Sequence, residues 1–434
     1  AKRWRVKEMA KKFDVVVFGA TGFTGKLCCE HLARTHGDTV SWAVAGRSKS
    51  KLESLVAEIA GDMKGDKPSI IVADSADEKA IELMCAQARV LLSTAGPFSK
   101  FGSHVVASCA KHGTHYCDIT GEAIWVKEME DKYDALARQT KAIIVPFCGY
   151  DCVPSDLGAF FAVSHLKDKL GKKCGNVKCL VGPTRGGASG GTMQTALHIL
   201  SNVASYPKQL FLCATDPYFL VDAPQRPQKV KEWLPTSVLP SFDLRSSSFT
   251  CFWPLASANS QVVRKSAASA GYGPDFTYDE VASFGGGSLL STVIGFFVVI
   301  AMSLGMSLIP LFLIPPFRWL VPASGYGPSE AVRKAGFFRH RVWVEEAGSG
   351  SDRTTVLATV KGDMDPGYGT TSKMAVEAAM ALATDTKQLP AAASGGGFLS
   401  PATAMGSVLV GRLQHYAGVQ FEIVSETVAG KKLK

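Results

Sequence analysis

An α/β chain is predicted, with an N-terminal doubly wound parallel sheet and a second α+β domain carrying an antiparallel or mixed sheet. Three observations carry this expectation. A β-branched run over 15–18 stops at a turn whose glycines are spaced G-x-x-G-x-x-G, at Gly19, Gly22 and Gly25, and a helical stretch follows. Further strand signals then alternate with helical ones as far as Val145, the pattern of a parallel sheet covered on both faces. Beyond residue 337 the pattern changes to alternation over 337–346 and 354–361, separated by Gly348-Ser349-Gly350-Ser351-Asp352, which reads as a hairpin.

Taken in order, the run 15–18 has no charge and suits a strand buried on both faces. At Gly19, Gly22 and Gly25 a missing Cβ permits a tight turn and lets backbone N–H groups approach a pyrophosphate. The helix over 24–35 adds the partial positive charge of its N-terminus. Gly19, Thr21, Gly22, Phe23, Thr24 and Gly25 are therefore candidate cofactor-binding residues. The second strand, 40–45, leads into Gly46-Arg47-Ser48-Lys49-Ser50-Lys51. An acid at this place would bond a ribose 2′-hydroxyl, whereas Arg47, Ser48 and Lys51 suit a 2′-phosphate, so NADP is expected over NAD.

A helix over 49–60 and a strand over 69–73 follow, after which Asp74 and Ser75 stand where an adenine would be edged. Asp77 is expected to cap the next helix, which runs to Gln87. The fourth strand, 90–93, ends in Thr94-Ala95-Gly96-Pro97, small residues that let the backbone pass close to a ribose and nicotinamide. Helices over 101–112 and 122–138 and strands over 114–118 and 142–145 complete the alternation. His112, His115 and Cys117 fit an ordinary helix-to-strand junction better than a metal site, and no metal is expected.

At 434 residues the chain exceeds one comfortable core, and two domains are expected. Lys and Arg exceed Asp and Glu by 47 to 38, but they are scattered except at the ends, which argues against a nucleic-acid partner. The basic leader, 1–12, suits either solvent or an anionic membrane surface. Eleven cysteines, an odd number set mainly inside helices and strands, suggest reduced thiols and an intracellular setting.

Several short runs together resemble the saccharopine dehydrogenase-like oxidoreductases, a family that includes the mycobacterial trans-acting enoyl reductases. They are Gly-Ala-Thr-Gly-Phe-Thr-Gly (19–25), Ala-Gly-Arg (45–47), Thr-Ala-Gly-Pro-Phe (94–98), Tyr-Cys-Asp-Ile-Thr-Gly-Glu (116–122) and Gly-Tyr-Asp-Cys-Val-Pro-Ser-Asp (149–156). The resemblance covers nearly all of the chain and weakens between Tyr206 and Pro328. It implies a Rossmann domain over 13–148, a second domain over 149–385 and a C-terminal segment, 386–434, that packs back on the first. It also implies a nicotinamide cofactor.

In the second half, 178–181 reads as a strand, the glycine-rich 186–191 as a connection into a helix over 192–202, and 206–260 as irregular. Residues 371–384 form a strong helical pattern, and 401–416 another. No charge occurs over 281–317. The length permits a membrane span, but the 337–346 strand and the strand near Lys178 should share one sheet, and one crossing would separate them. Two shorter pieces, 289–300 and 304–317, dipping into one leaflet are preferred, so 288–317 is expected to touch a membrane or lipid surface.

The expected function is an NADP-dependent oxidoreductase that passes a hydride to an apolar, lipid-derived carbonyl or enoyl substrate. No tyrosine has a lysine four residues later, and Tyr150 and Asp151, just past the sixth strand, are the candidate catalytic proton donors. A catalytically idle nucleotide-binding subunit of a membrane-associated assembly is the alternative, and a homodimer or larger assembly fits either.

Overall fold

The computed structural model describes residues 11–187, 206–228, 230–232, 234, 236–285, 288–307, 326–350, 352–428 and 431–432. Most of the basic leader, the expected helix over 192–202 and most of the second apolar piece lie outside these residues. The chain divides into two compact units. One comprises Ala1–Gly149 with Thr371–Ala417, the other Tyr150–Thr370 with Gly418–Lys434.

The first unit is built on a parallel sheet. Its strands are β1 (Phe13–Phe18), β2 (Trp42–Gly46), β3 (Ser69–Val72), β4 (Ala88–Ser93), β5 (His115–Asp118), β6 (Ile143–Val145) and, far along the chain, β13 (Gly397–Phe398). They lie in the order β13-β6-β5-β4-β1-β2-β3, each parallel to its neighbour. The order reverses direction beside β1, which opens a crevice at the carboxyl ends of β1 and β4. β2 and β6 are buried throughout because helices cover both faces, which is why these strands read as apolar runs. Asp77 caps the helix Glu78–Gln87 as expected, accepting from the Lys79 and Ala80 N–H groups.

This unit also takes in the helix Thr371–Thr384, which packs on the helix Phe23–His36 and on β4. The sequence expectation carried the second domain through residue 385 and so placed this helix there. Its pattern announced a helix but not the sheet it covers. Ala375, Ala378 and Ala379 allow close packing, and the Cys28 thiol reaches the Ser372 carbonyl at 3.6 Å.

The second unit is built on a mixed sheet ordered β15-β14-β12-β11-β7-β10-β9-β8. These strands are β7 (Cys174–Val181), β8 (Ser241–Asp243), β9 (Ser248–Phe252), β10 (Thr277–Phe284), β11 (Phe338–Glu346), β12 (Thr355–Gly362), β14 (Val419–Val428) and β15 (Lys431–Lys432). The expected hairpin is β11–β12, and β11 pairs with β7 in one sheet as the topological argument required. β10 runs parallel to β7. Helices Val153–Ser164 and Ala256–Ala270 cover one face, packing Ala159, Val163 and Val263 against Val177, Cys179 and Val342.

Residues 206–260 are not irregular throughout. They contain the helix Pro207–Thr215, β8, β9 and the start of the helix Ala256–Ala270. The last was hidden because its buried face includes Asn259, Ser260, Gln261 and Arg264, which erases the apolar period. Burial of Arg264 is offset by a 2.7 Å ion pair with Glu232 and a hydrogen bond to the Tyr278 carbonyl.

The apolar segment also differs from expectation, because Leu289–Ser307 is one continuous helix with no break near residue 301. One side packs on β9 and β10, where Val299 is 2% exposed beside Cys251 and Ala282. Leu289, at 83%, and Phe297, at 63%, face solvent. Among the described residues no helix is long and apolar enough to cross a membrane.

Candidate active site

The parallel sheet sets the candidate cofactor residues, because the carboxyl ends of β3, β2, β1 and β4 stand side by side on one edge. Gly19 follows β1 with φ +80°, a backbone that favours glycine. A Cβ on Gly19 would come 2.9 Å from the Ala95 nitrogen, and one on Gly25 would come 2.2 Å from the Gly19 carbonyl oxygen. The loop is therefore drawn tightly against the helix that follows. Gly22 precedes that helix, no side chain caps it, and its first turn has no acid. An uncapped N-terminus of this kind suits a phosphate.

Backbone bonds tie the neighbouring loops to this one. The Gly19 and Ala20 N–H groups both donate to the Ala45 carbonyl, at 3.0 and 3.2 Å, and the Ala73 N–H donates to that of Gly46 at 3.0 Å. Thr94 lies beneath the glycine loop, where its hydroxyl bonds the Phe18 and Gly19 carbonyls at 3.1 and 3.2 Å. Its side chain serves the loop, and the adjoining Ala95 lies against Gly19. Thr21 is exposed and Phe23 and Thr24 are half-buried at the helix start.

Arg47 and Lys51 are exposed just past β2, and neither makes an ion pair with the described residues. Ser48 shares a 3.3 Å hydroxyl contact with Ser50. Asp74 is exposed past β3, where its carboxylate accepts the Ala76 N–H at 3.0 Å and shapes the turn holding Ser75. The donors at this edge are a guanidinium, an ammonium and a hydroxyl, which fit a 2′-phosphate.

Two buried acids support this edge, and neither was given a role by sequence reasoning. Glu122 accepts the Phe98 N–H at 2.6 Å and the Ser99 N–H at 3.1 Å, holding the turn after Pro97. Asp118 accepts the Thr120 and Phe147 N–H groups on one oxygen and the Tyr116 hydroxyl, at 2.7 Å, on the other. Burial pushes its carboxyl up to about 7. Both belong to the 116–122 run, and an acid set among small and apolar residues was the signal available.

Tyr150 and Asp151 open the second unit, five and six residues past the end of β6. Tyr150 is 5% exposed, and its hydroxyl lies 3.0 Å from His340 Nε2. Burial raises its phenol and drops the His340 imidazole to about 3, so this histidine stays neutral. Burial lifts the Asp151 carboxyl to about 6. The two candidates are thus an acid poised near neutrality and a phenol held in a fixed hydrogen bond.

Of the glycine-rich 186–191, Gly186 and Gly187 are described, and the Gly187 N–H donates to Asp365 Oδ1 at 3.0 Å. That amide is engaged by protein. His112 and His115 serve the helix-to-strand junction: the former lies 3.1 Å from Glu82, and Nδ1 of the latter accepts the Ile143 N–H at 3.1 Å.

Comparison with known proteins gives this arrangement its context. Residues 15–145 match the family described as the saccharopine dehydrogenase NADP binding domain. A Mycobacterium tuberculosis protein provisionally named a trans-acting enoyl reductase is 35% identical over 429 residues, 95% of this chain and 97% of the relative. A trans-acting enoyl reductase of Mycobacterium bovis is 32% identical, over 93% of this chain and 96% of its own. Among solved structures, apo saccharopine dehydrogenase (L-Glu forming) of Saccharomyces cerevisiae aligns over 94% of this chain and 99% of its own. Its TM-score is 0.48 at 12% identity, a likeness too distant to speak to chemistry. The chain belongs to the saccharopine dehydrogenase-like oxidoreductases, together with its trans-acting enoyl reductase relatives, and its cofactor is NADP.

Proposed function

We propose that the protein reduces an apolar, lipid-derived enoyl or carbonyl substrate with NADPH, and that Tyr150 or Asp151 supplies the proton. Bound NADPH supplies a hydride. The glycine loop from Gly19 to Gly25 holds the pyrophosphate on amide groups, with Arg47, Ser48 and Lys51 at the 2′-phosphate and Asp74 and Ser75 beside the adenine. Thr94 braces this loop, and Ala95, Gly96 and Pro97 give the nicotinamide a close backbone wall. Tyr150 keeps its proton at neutral pH because burial disfavours the phenolate, as a general acid requires.

The observation that carries the reading is the buried Tyr150–His340 pair, which fixes a donor in an apolar setting just past the sixth parallel strand. The names of the trans-acting enoyl reductase relatives support an enoyl substrate. The exposed apolar side of Leu289–Ser307 supports delivery from a lipid surface.

The test is NADPH oxidation with a panel of enoyl and keto lipids on vesicles, run on the wild type, Y150F and D151N. Turnover that falls at least tenfold in one variant, with NADPH affinity kept, is expected. Tight NADPH binding with no turnover on any substrate would replace this reading with that of an idle nucleotide-binding subunit.

A further inference from the structure

Helices cover one face of the second unit's sheet, and alternation along each strand sends the intervening side chains to the other face. Cys179, Val342, Val344 and Ala358 take the covered face. Lys178, Arg341, Trp343 and Thr359 therefore share the opposite one. Register makes them neighbours: Arg341 pairs with Thr359 across β11–β12, and Trp343 with Lys178 across β11–β7. The turn between β8 and β9 reaches the same face, where Asp243 meets Lys178 at 2.8 Å and Arg245 pairs with Glu345.

Most charges on this face are answered. Lys178 has Asp243, Lys361 has Glu422 at 2.9 Å, and Glu345 has both Arg245 and Arg353. Arg339 and Arg341 have no ion pair among the described residues. Arg339 is exposed, where solvent serves it. Arg341 is half-buried, burial pulls its guanidinium below the usual range, and its Nη2 donates to the neutral Ser283 hydroxyl at 3.1 Å. Two groups beside it are also short of partners. The Trp343 indole N–H and the Thr359 hydroxyl are buried with no hydrogen-bond partner among the described residues, and Thr359 as a whole is 9% exposed. A desolvated cation and two buried polar groups left unmade are each costly, and here they meet on adjoining rungs while the nearby acids are engaged. What the place lacks is an anionic oxygen.

We propose that Arg341, Trp343 and Thr359 form a binding site for a phosphate group on this face of the second unit. It uses none of the residues assigned to NADPH and does not depend on the role of Tyr150. The guanidinium fork fills two oxygens of an anion. The indole N–H and the hydroxyl, set on another rung and another strand, call for a third oxygen, which phosphate has and carboxylate lacks. Ser283 and Ser248, whose hydroxyls are linked at 2.8 Å, border the Arg341 end.

The test uses the full chain with 15N in its tryptophan indoles and with NADPH saturating, so that the nucleotide site is filled. The Trp343 signal is assigned by its absence in W343F, and inorganic phosphate is titrated at constant ionic strength. The Trp343 N–H signal is expected to move downfield along a saturable curve, and R341Q to weaken the binding about tenfold or more. T359V keeps the side-chain shape, should weaken it about threefold, and supplies an independent measurement should R341Q fold poorly. Glycerol 3-phosphate distinguishes the sources: binding of both assigns the site to the phosphate head of a larger ligand, and binding of inorganic phosphate alone to the free ion. A Trp343 signal that phosphate leaves still, that responds equally in R341Q, or that acetate moves as strongly overturns the proposal. So does one that follows protein concentration instead, which would mark this face as a contact between copies of the chain.

Discussion

The Phe98 N–H donates to the Glu122 carboxylate at 2.6 Å, and with the Ser99 N–H on the second oxygen one buried acid holds the turn past the fourth strand. Replacing Glu122 by Ala leaves two amide donors without their acceptor, at a cost on the order of 1–3 kcal/mol. The expected outcome for E122A is a lower Tm and NADPH binding weakened about tenfold, read by calorimetry and NADPH fluorescence. E122Q keeps an acceptor and should fall between. Unchanged affinity in E122A would separate this turn from the nicotinamide.

Gly25 carries a steric demand that no side chain meets. A Cβ there would stand 2.2 Å from the Gly19 carbonyl oxygen and 2.7 Å from the Thr94 hydroxyl, and both belong to the loop and its brace. G25A should open the loop, with NADPH affinity lost by about 100-fold. Fluorescence titration of folded G25A checks this, and near wild-type binding would refute the placement of the pyrophosphate.

Arg47 tests the 2′ end separately. A charge-assisted hydrogen bond contributes about 1.5–3 kcal/mol, so R47A should bind NADPH roughly 10- to 100-fold more weakly while NADH is unaffected. Parallel titrations with the two nucleotides give the ratio. Equal losses for both would move the 2′-phosphate away from this residue.

Glu280 makes stability depend on pH with a definite sign. Its folded carboxyl binds a proton up to about 7, whereas in an unfolded chain it lets go near 4.3. Between these values the folded state holds the extra proton, so wild-type stability declines as pH rises through the window and levels off above it. E280Q lacks this contribution. It should be the more stable protein above pH 7, by on the order of 3–4 kcal/mol, with the difference fading towards pH 4. Urea unfolding across the pH range measures the difference, and one independent of pH would show the carboxyl to be already ionised.

Glu377 has the opposite sign. Burial works against its charge, but hydrogen bonds from His31 and His36 and the Arg412 guanidinium at 2.9 Å prevail and hold the carboxyl at about 2. Its contribution is complete above the unfolded value near 4.3 and is lost as pH falls from there through about 2. E377Q should therefore lose stability at pH 7 and not at pH 2, as urea titrations at both would show.

The amino-acid order by itself determined the fold class and the cofactor. Both are written locally: uncharged β-branched runs alternate with helical periods, glycines fall between a strand and a helix, and Arg47 stands where an acid would select NAD. Short-range steric and charge rules govern such features, so they can be read without knowing where the chain goes next. Only the tertiary structure decided the rest. It gathered Thr371–Thr384 into the first unit, formed the helix Ala256–Ala270 around a buried Arg264, and joined Leu289–Ser307 into one helix. It also brought His340 against Tyr150, with Cys179 on the other ring nitrogen. Partners in these contacts lie far apart in the chain, 190 residues for Tyr150 and His340 and 344 for Cys28 and Ser372, and tertiary packing rather than local spacing selects them.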